Sequence, residues 1–110
     1  MTNLDQFRQE VYAIVASVPY GKVITYGQIS WLIGKPNHAR LVGRMLHEAN
    51  DFPGLPCHRV VNCQGRIAPH WPEQANLLKA EGVVLQRNGH VNLKKYNWDF
   101  NSLTKIISNT

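Results

Sequence analysis

Apolar residues recur every three or four positions at the start of the chain: Phe7, Val11, Ile14, Val15 and Val18. That spacing puts them on one face of a helix, predicted from about Leu4 to Ser17 with Thr2 and Asp5 as a capping start. Pro19-Tyr20-Gly21-Lys22 is a turn signal, and Val23-Ile24-Thr25 reads as a short strand. Thr25 and Gln28 have the spacing of a capping box, which opens a second helix reaching about Ile33. Gly34 stops it and Pro36 prevents its return. Asn37 is the expected cap of a third helix, from His38 to about Ala49. Two short helices joined through Gly34-Lys35-Pro36-Asn37 make a helix-turn-helix pattern.

The third helix has two faces. Leu41, Val42, Met45 and Leu46 point to the core, while Arg40, Arg44 and His47 form one polar stripe. Gly43 lies beside that stripe, where glycine costs ~1 kcal/mol relative to alanine in a helix interior. Its presence suggests close approach of another backbone, although spacing alone favours a solvated basic face. Asn50 to Leu55 is a loop, Val60-Val61 a short buried strand, and Ile67 to Pro72 irregular. A further helix is predicted from Glu73 to Ala80, with Leu77 and Leu78 inward and Gly82 as its stop. Val83-Val84-Leu85 and Val91-Asn92-Leu93 flank Asn88-Gly89, a type I′ hairpin signal. Tyr96 and Trp98 are expected to pin the end of the chain, with residues 102–110 as a frayed tail after a single domain over 1–101.

Composition narrows the class. The chain has 110 residues and 44% hydrophobic positions, enough for one small packed core. No apolar run approaches the roughly 18 residues of a membrane span, and Met1 to Gln9 carry no signal-peptide core, so a cytoplasmic place is expected. Cys57 and Cys63 are six apart, too far to bridge along an extended strand that rises roughly 20 Å. Two cysteines are also too few for a structural zinc site, and reduced thiols are expected, with no metal or cofactor. The formal charge of +5 and a pI of about 9.5 point to a polyanionic partner, most often nucleic acid. Lys35, Arg40 and Arg44 give that charge a location at the helix-turn-helix.

The candidate chemistry lies in Pro56-Cys57-His58-Arg59-Val60. Pro56 stiffens the backbone before a potential nucleophile. Cys57 and His58 would point to opposite faces of a strand, so they meet only if the chain turns between them. Taken alone, the pair also fits a buried thiol beside a surface histidine.

This stretch resembles the active-site signature of the O6-alkylguanine-DNA alkyltransferases, and the resemblance covers roughly Val11 to Gly82. It implies that Cys57 takes the alkyl group from a flipped guanine in double-stranded DNA, once and irreversibly. His58 and Glu81 match the family's histidine and the glutamate that orients it. Arg40, seventeen before the cysteine (57 − 40 = 17), matches the arginine that fills the gap left by the flipped base. Tyr26, fourteen before Arg40 (40 − 26 = 14), matches the tyrosine that crowds the 3′ phosphate. Ala39 and Gly43 would let this helix edge enter the minor groove, with Arg44 and Lys35 on phosphates. Pro56, Arg59, Ile67 and Trp71 are the expected lesion pocket.

The chain also departs from the family. Ala49 stands where the alkyltransferases carry a hinge asparagine. Ala68-Pro69-His70-Trp71 lacks their tyrosine–serine–glycine loop over the guanine. The Lys94-Lys95-Tyr96-Asn97-Trp98 segment resembles the small alkyltransferase-like proteins, which bind the lesion without repairing it and mostly carry tryptophan at the place of Cys57. Three readings stay open: stoichiometric transfer to Cys57; lesion recognition that hands damage to nucleotide-excision repair proteins; and a plain helix-turn-helix regulator. The predicted fold is mainly α with short strands, a monomeric winged-helix-like helix-turn-helix DNA-binding domain.

Overall fold

A computed structural model of the chain describes residues 3–49 and 54–99. The expected cap at Thr2, positions 50–53 of the predicted loop and the tail 102–110 lie outside the described residues. Among the described residues the architecture is mainly helical, with one two-stranded sheet.

Helix α1 (Asn3–Ser17) buries Phe7, Val11 and Val15, with Val18 just beyond its end, as its apolar stripe dictates. Strand β1 (Ile24–Thr25) leads directly into α2 (Tyr26–Leu32). The capping box is present: Gln28 N donates to Thr25 Oγ1 at 3.1 Å and Thr25 N to Gln28 Oε1 at 3.0 Å. Gly34, at φ +87°, ends α2 in a Schellman turn, with Lys35 N donating to Ser30 O at 3.0 Å and Gly34 N to Trp31 O at 2.9 Å.

Helix α3 (Ala39–His47) begins one residue later than expected, and its cap is His38, not Asn37. No side chain caps it. Ser30 dictates this register instead: its buried hydroxyl donates to Lys35 O and accepts from His38 N at 3.0 Å, tying the turn to α2 from inside. Val42, Met45 and Leu46 are buried, Leu41 is half-buried, and Arg40, Arg44 and His47 are exposed.

After a 3₁₀ turn at Cys57–Arg59 comes β2 (Val60–Val61), which pairs in parallel with β1, Ile24 opposite Val60 and Thr25 opposite Val61. This short ladder joins two apolar clusters. Ile24 and Val60 belong with α1, α2 and α3; Val23 and Val61 belong with Leu78, Val83 and Val91.

Helix α4 (Glu73–Ala80) has the predicted bounds but a different inner face: Gln74 and Leu78 are buried, whereas Leu77 is 41% exposed. Gln74 and Leu78, four apart, share the buried face, and Leu77 sits at its edge. The hairpin is also corrected. Only glycines adopt positive φ among the described residues, so Asn88 cannot take the I′ conformation. Arg87-Asn88-Gly89 is instead a three-residue loop, with Gly89 N donating to Gln86 O at 2.9 Å and Gln86 N to His90 O at 2.8 Å. Helix α5 (Leu93–Tyr96) follows. Trp98 N then donates to Val23 O at 2.7 Å, and Tyr96 and Trp98 pack on the two clusters, which pins this end as expected.

Candidate functional site

Cys57 is half-buried at the first position of the 3₁₀ turn, where its amide donates to Leu55 O at 2.8 Å and Arg59 N to Pro56 O at 3.0 Å. The chain therefore does turn between Cys57 and His58. Cys57 and Cys63 are both free thiols.

Beneath the turn lies a charge cluster centred on Glu81. This residue is the C-cap of α4, fixed by a Schellman turn at Gly82 (φ +85°) whose bonds run from Gly82 N to Lys79 O and from Val83 N to Leu78 O, both 3.0 Å. The Glu81 side chain is only 7% exposed. It accepts from His58 Nε2 at 2.6 Å, from Arg59 Nε and Nη2 at 2.9 and 2.8 Å, and from Gly21 N at 3.0 Å. Arg59 Nη1 continues to Val18 O at 2.8 Å. Burial alone lifts a carboxyl, but the Arg59 guanidinium, the Gly21 amide and His58 outweigh it and hold Glu81 at about 2, against an ordinary 4.5. Glu81 is therefore an anion near neutral pH and can only accept. His58 Nε2 must carry the proton of that bond, which leaves Nδ1 as the basic nitrogen.

Above the turn is a cavity of about 570 Å³ between α3 and the loop Ala68–Trp71. Cys57 lines it, together with Tyr26 from the start of α2 and Gly43 and His47 from α3. A Cβ on Gly43 would sit 3.7 Å from the Tyr26 ring, ordinary contact, so packing inside the chain does not require glycine there. Arg40 lies about one turn before Gly43 on α3 and is exposed. None of the ion pairs among the described residues uses Arg40, Arg44 or Lys35. Burial pushes the Cys57 thiol up from its ordinary value. His58 engages Glu81 through Nε2, and no cation among the described residues offsets the desolvation of the thiol. Burial, and then Cys57, likewise push the Tyr26 phenol up, so it remains a hydrogen-bond donor.

Of the expected pocket residues, Trp71 lines the cavity and the others lie outside its wall. Arg59 is turned onto Glu81, Ile67 packs on the second apolar cluster, and Pro56 precedes the 3₁₀ turn. Helical and turn periodicity missed Gln74. It is 1% exposed, donates to His58 O and Val60 O at 3.0 Å each, and accepts from Ala68 N at 2.7 Å. One amide thus fixes the Cys57 segment, the cavity loop and α4 to one another. A lone glutamine on an otherwise apolar helix face, four before Leu78, is the signal that could have found it.

Residues 6–83 match the family described as 6-O-methylguanine DNA methyltransferase, DNA binding domain. The chain is 41% identical over 103 residues to the DNA base-flipping protein of Escherichia coli (strain K12), spanning 91% of this chain and 80% of that one. It is 39% identical over 61 residues to a methylated-DNA–protein-cysteine methyltransferase of Saccharomyces cerevisiae, spanning 56% of this chain and 32% of that one. The fold superposes on the crystal structure of S. pombe Atl1 in complex with damaged DNA containing O6-carboxymethylguanine, with a TM-score of 0.80, 34% identity, and 89% of this chain and 99% of that one covered. By this family match and these relatives, the chain belongs to the family of the 6-O-methylguanine DNA methyltransferase DNA-binding domain.

Proposed function

We propose that the protein binds O6-alkylguanine in double-stranded DNA, turns the base out into the cavity and accepts its alkyl group on Cys57. The observation that carries this reading is a thiol on the cavity wall whose neighbour, His58, is held 2.6 Å from the Glu81 carboxylate. The named relatives, a base-flipping protein and a protein solved on O6-carboxymethylguanine DNA, support the lesion-binding part. Arg40 and Arg44 stand exposed on the helix that would approach the DNA, with Arg40 filling the vacated place and Tyr26 crowding the phosphate. The cytoplasm, where thiols stay reduced, suits such a nucleophile.

In the transfer step, His58 Nδ1 takes the Cys57 proton, directly or through a water. The Sγ–C bond forms as the O6–C bond breaks, and the bonding pair returns to the purine. The purine then takes up that proton at N1 and leaves as guanine. The cost of ionising a thiol that burial has pushed up makes this step slow at pH 7. We expect intact-mass spectrometry after incubation with O6-methylguanine DNA to show one CH2 increment per molecule on the Cys57 peptide, formed faster as pH rises from 7 to 9 and absent in Cys57→Ser. Lesion-selective binding with no increment at pH 9 would leave recognition alone as the function. The raised thiol and the likeness to an alkyltransferase-like protein keep that second reading open, in which the bound lesion is handed on to nucleotide-excision repair proteins.

Arg40→Ala separates flipping from simple phosphate contact. Extrusion of a paired base costs a few kcal/mol, and Arg40 offsets part of it only in a duplex. The variant should lose about tenfold more affinity for a lesion duplex than for a single strand carrying the same lesion. Equal losses in the two titrations would reduce Arg40 to a phosphate contact.

A further inference from the structure

Gln74 is 1% exposed, yet it lines the cavity just past the loop Ala68–Trp71. It grips that loop at both ends. The side chain accepts from Ala68 N at 2.7 Å, and the main chain donates from Gln74 N to Trp71 O at 3.1 Å. The same carboxamide donates to His58 O and Val60 O, at 3.0 Å each, on the segment that carries Cys57. Its orientation is forced, because carbonyl oxygens only accept and a backbone N–H only donates. Ala68, Pro69, His70 and Trp71 all line the cavity, as does Cys57. We propose that Gln74 sets lesion selectivity: by fixing the loop to the Cys57 segment, it keeps the cavity in one shape in the free protein, ready for an extruded base.

This inference rests on the reading of the cavity as the seat of an O6-alkylguanine. An extruded base gives up its stacking and pairing, and the cavity must return part of that loss. A wall already in place returns more than a wall that has to be ordered on binding. Two features make the loop such a wall. Pro69 and Pro72 each fix one backbone dihedral, which leaves the loop few ways to bend. Gln74 then removes motion of the loop relative to the Cys57 segment, through hydrogen bonds in a buried place where water competes little. Gln74 is therefore a positioning residue, acting through the two walls it joins. Its side-chain bonds run to the loop and the Cys57 segment, whereas α3 is tied to α2 through Ser30 and packs with it in the first apolar cluster. Contacts of α3 with phosphates should thus be blind to the side chain at position 74.

The test replaces Gln74 by methionine, which keeps the length of the side chain but has no amide. Affinities are measured for a duplex carrying one O6-methylguanine and for the same duplex with guanine, before transfer is detectable by mass, and folding is checked by thermal unfolding. Gln74→Met should lower the lesion-to-guanine affinity ratio roughly three- to tenfold, the scale of one hydrogen bond's net contribution. The affinity for the guanine duplex, set by phosphate contacts, should change less than about twofold. Where Gln74→Met does not fold, Gln74→Asn takes its place: it keeps the amide but is one methylene too short to hold both segments, and the same fall in the ratio is expected. A ratio equal to the parent's in a folded variant overturns the inference and leaves lesion binding intact. So does an equal loss on both duplexes, which would make Gln74 a support of the fold and nothing more. If the parent protein itself does not prefer the lesion duplex, the reading of the cavity fails and the inference goes with it.

Discussion

Gly65→Ala is expected to destabilise the protein by about 3 kcal/mol or more, from two costs that add. Gly65 has φ +82°, a conformation that costs an L-residue roughly 1–2 kcal/mol. A Cβ built there would also lie 2.2 Å from Val91 O and 3.1 Å from Val91 C. Those atoms are backbone and cannot swing aside as a side-chain tip can. Overpacking of this kind costs about 1–3 kcal/mol, and here it also strains the 2.8 Å bond from Val91 N to Gly65 O. In a domain whose total stability is of order 5–15 kcal/mol, the loss should lower the melting temperature by roughly 15 °C. Gly89→Ala is the control. Its φ is +85° but nothing lies within 4 Å of a new Cβ, so only the conformational part should appear. Equal losses at the two positions in calorimetry would show that the Val91 contact carries no weight.

Glu81→Ala should cost about 3–5 kcal/mol, because it leaves the Arg59 guanidinium half-buried without its anion. It should also abolish transfer to Cys57 by freeing the His58 ring. Acid offers a gentler probe. With its folded value held at about 2 against 4.5, Glu81 contributes stability that is fully present above about pH 4.5 and is lost as pH falls through about 2. A displacement of that size corresponds to about 3 kcal/mol. Denaturant unfolding of the parent protein and Glu81→Gln across this window should give a steep acid loss in the first and a shallower one in the second. Parallel curves would assign the acid sensitivity to other carboxylates.

Features written in short-range chemistry were legible in the sequence. The Thr25–Gln28 capping box, the Gly34 and Gly82 stops and the bounds of α4 follow from residues within a few positions of one another. What depends on distant partners was not legible. The N-terminus of α3 is set by Ser30, a residue in the preceding helix, so a local cap at Asn37 was the wrong expectation. Helical period puts Gln74 on the inner face four before Leu78, but it does not name the three groups from two other segments that meet its amide. Arg59 is two positions from the thiol in sequence, yet its guanidinium turns onto Glu81 rather than into the cavity. His58 and Glu81 were legible together only through family resemblance, since 23 positions separate them.

The parallel ladder of β1 and β2 has a consequence for how the molecule is made. Ile24 pairs with Val60 across 36 positions (60 − 24 = 36), so this contact closes a long loop before it gains anything in return. Helices α1, α2 and α3 touch one another within the first half of the chain. The supports of Cys57 come much later, at Gln74 and Glu81. A nascent chain emerging from the ribosome therefore has α1, α2 and α3 in hand while the Cys57 turn still lacks the contacts of Gln74 and Glu81. Interrupted before residue 81, it would hold α1, α2 and α3 together while His58 lacked its carboxylate partner.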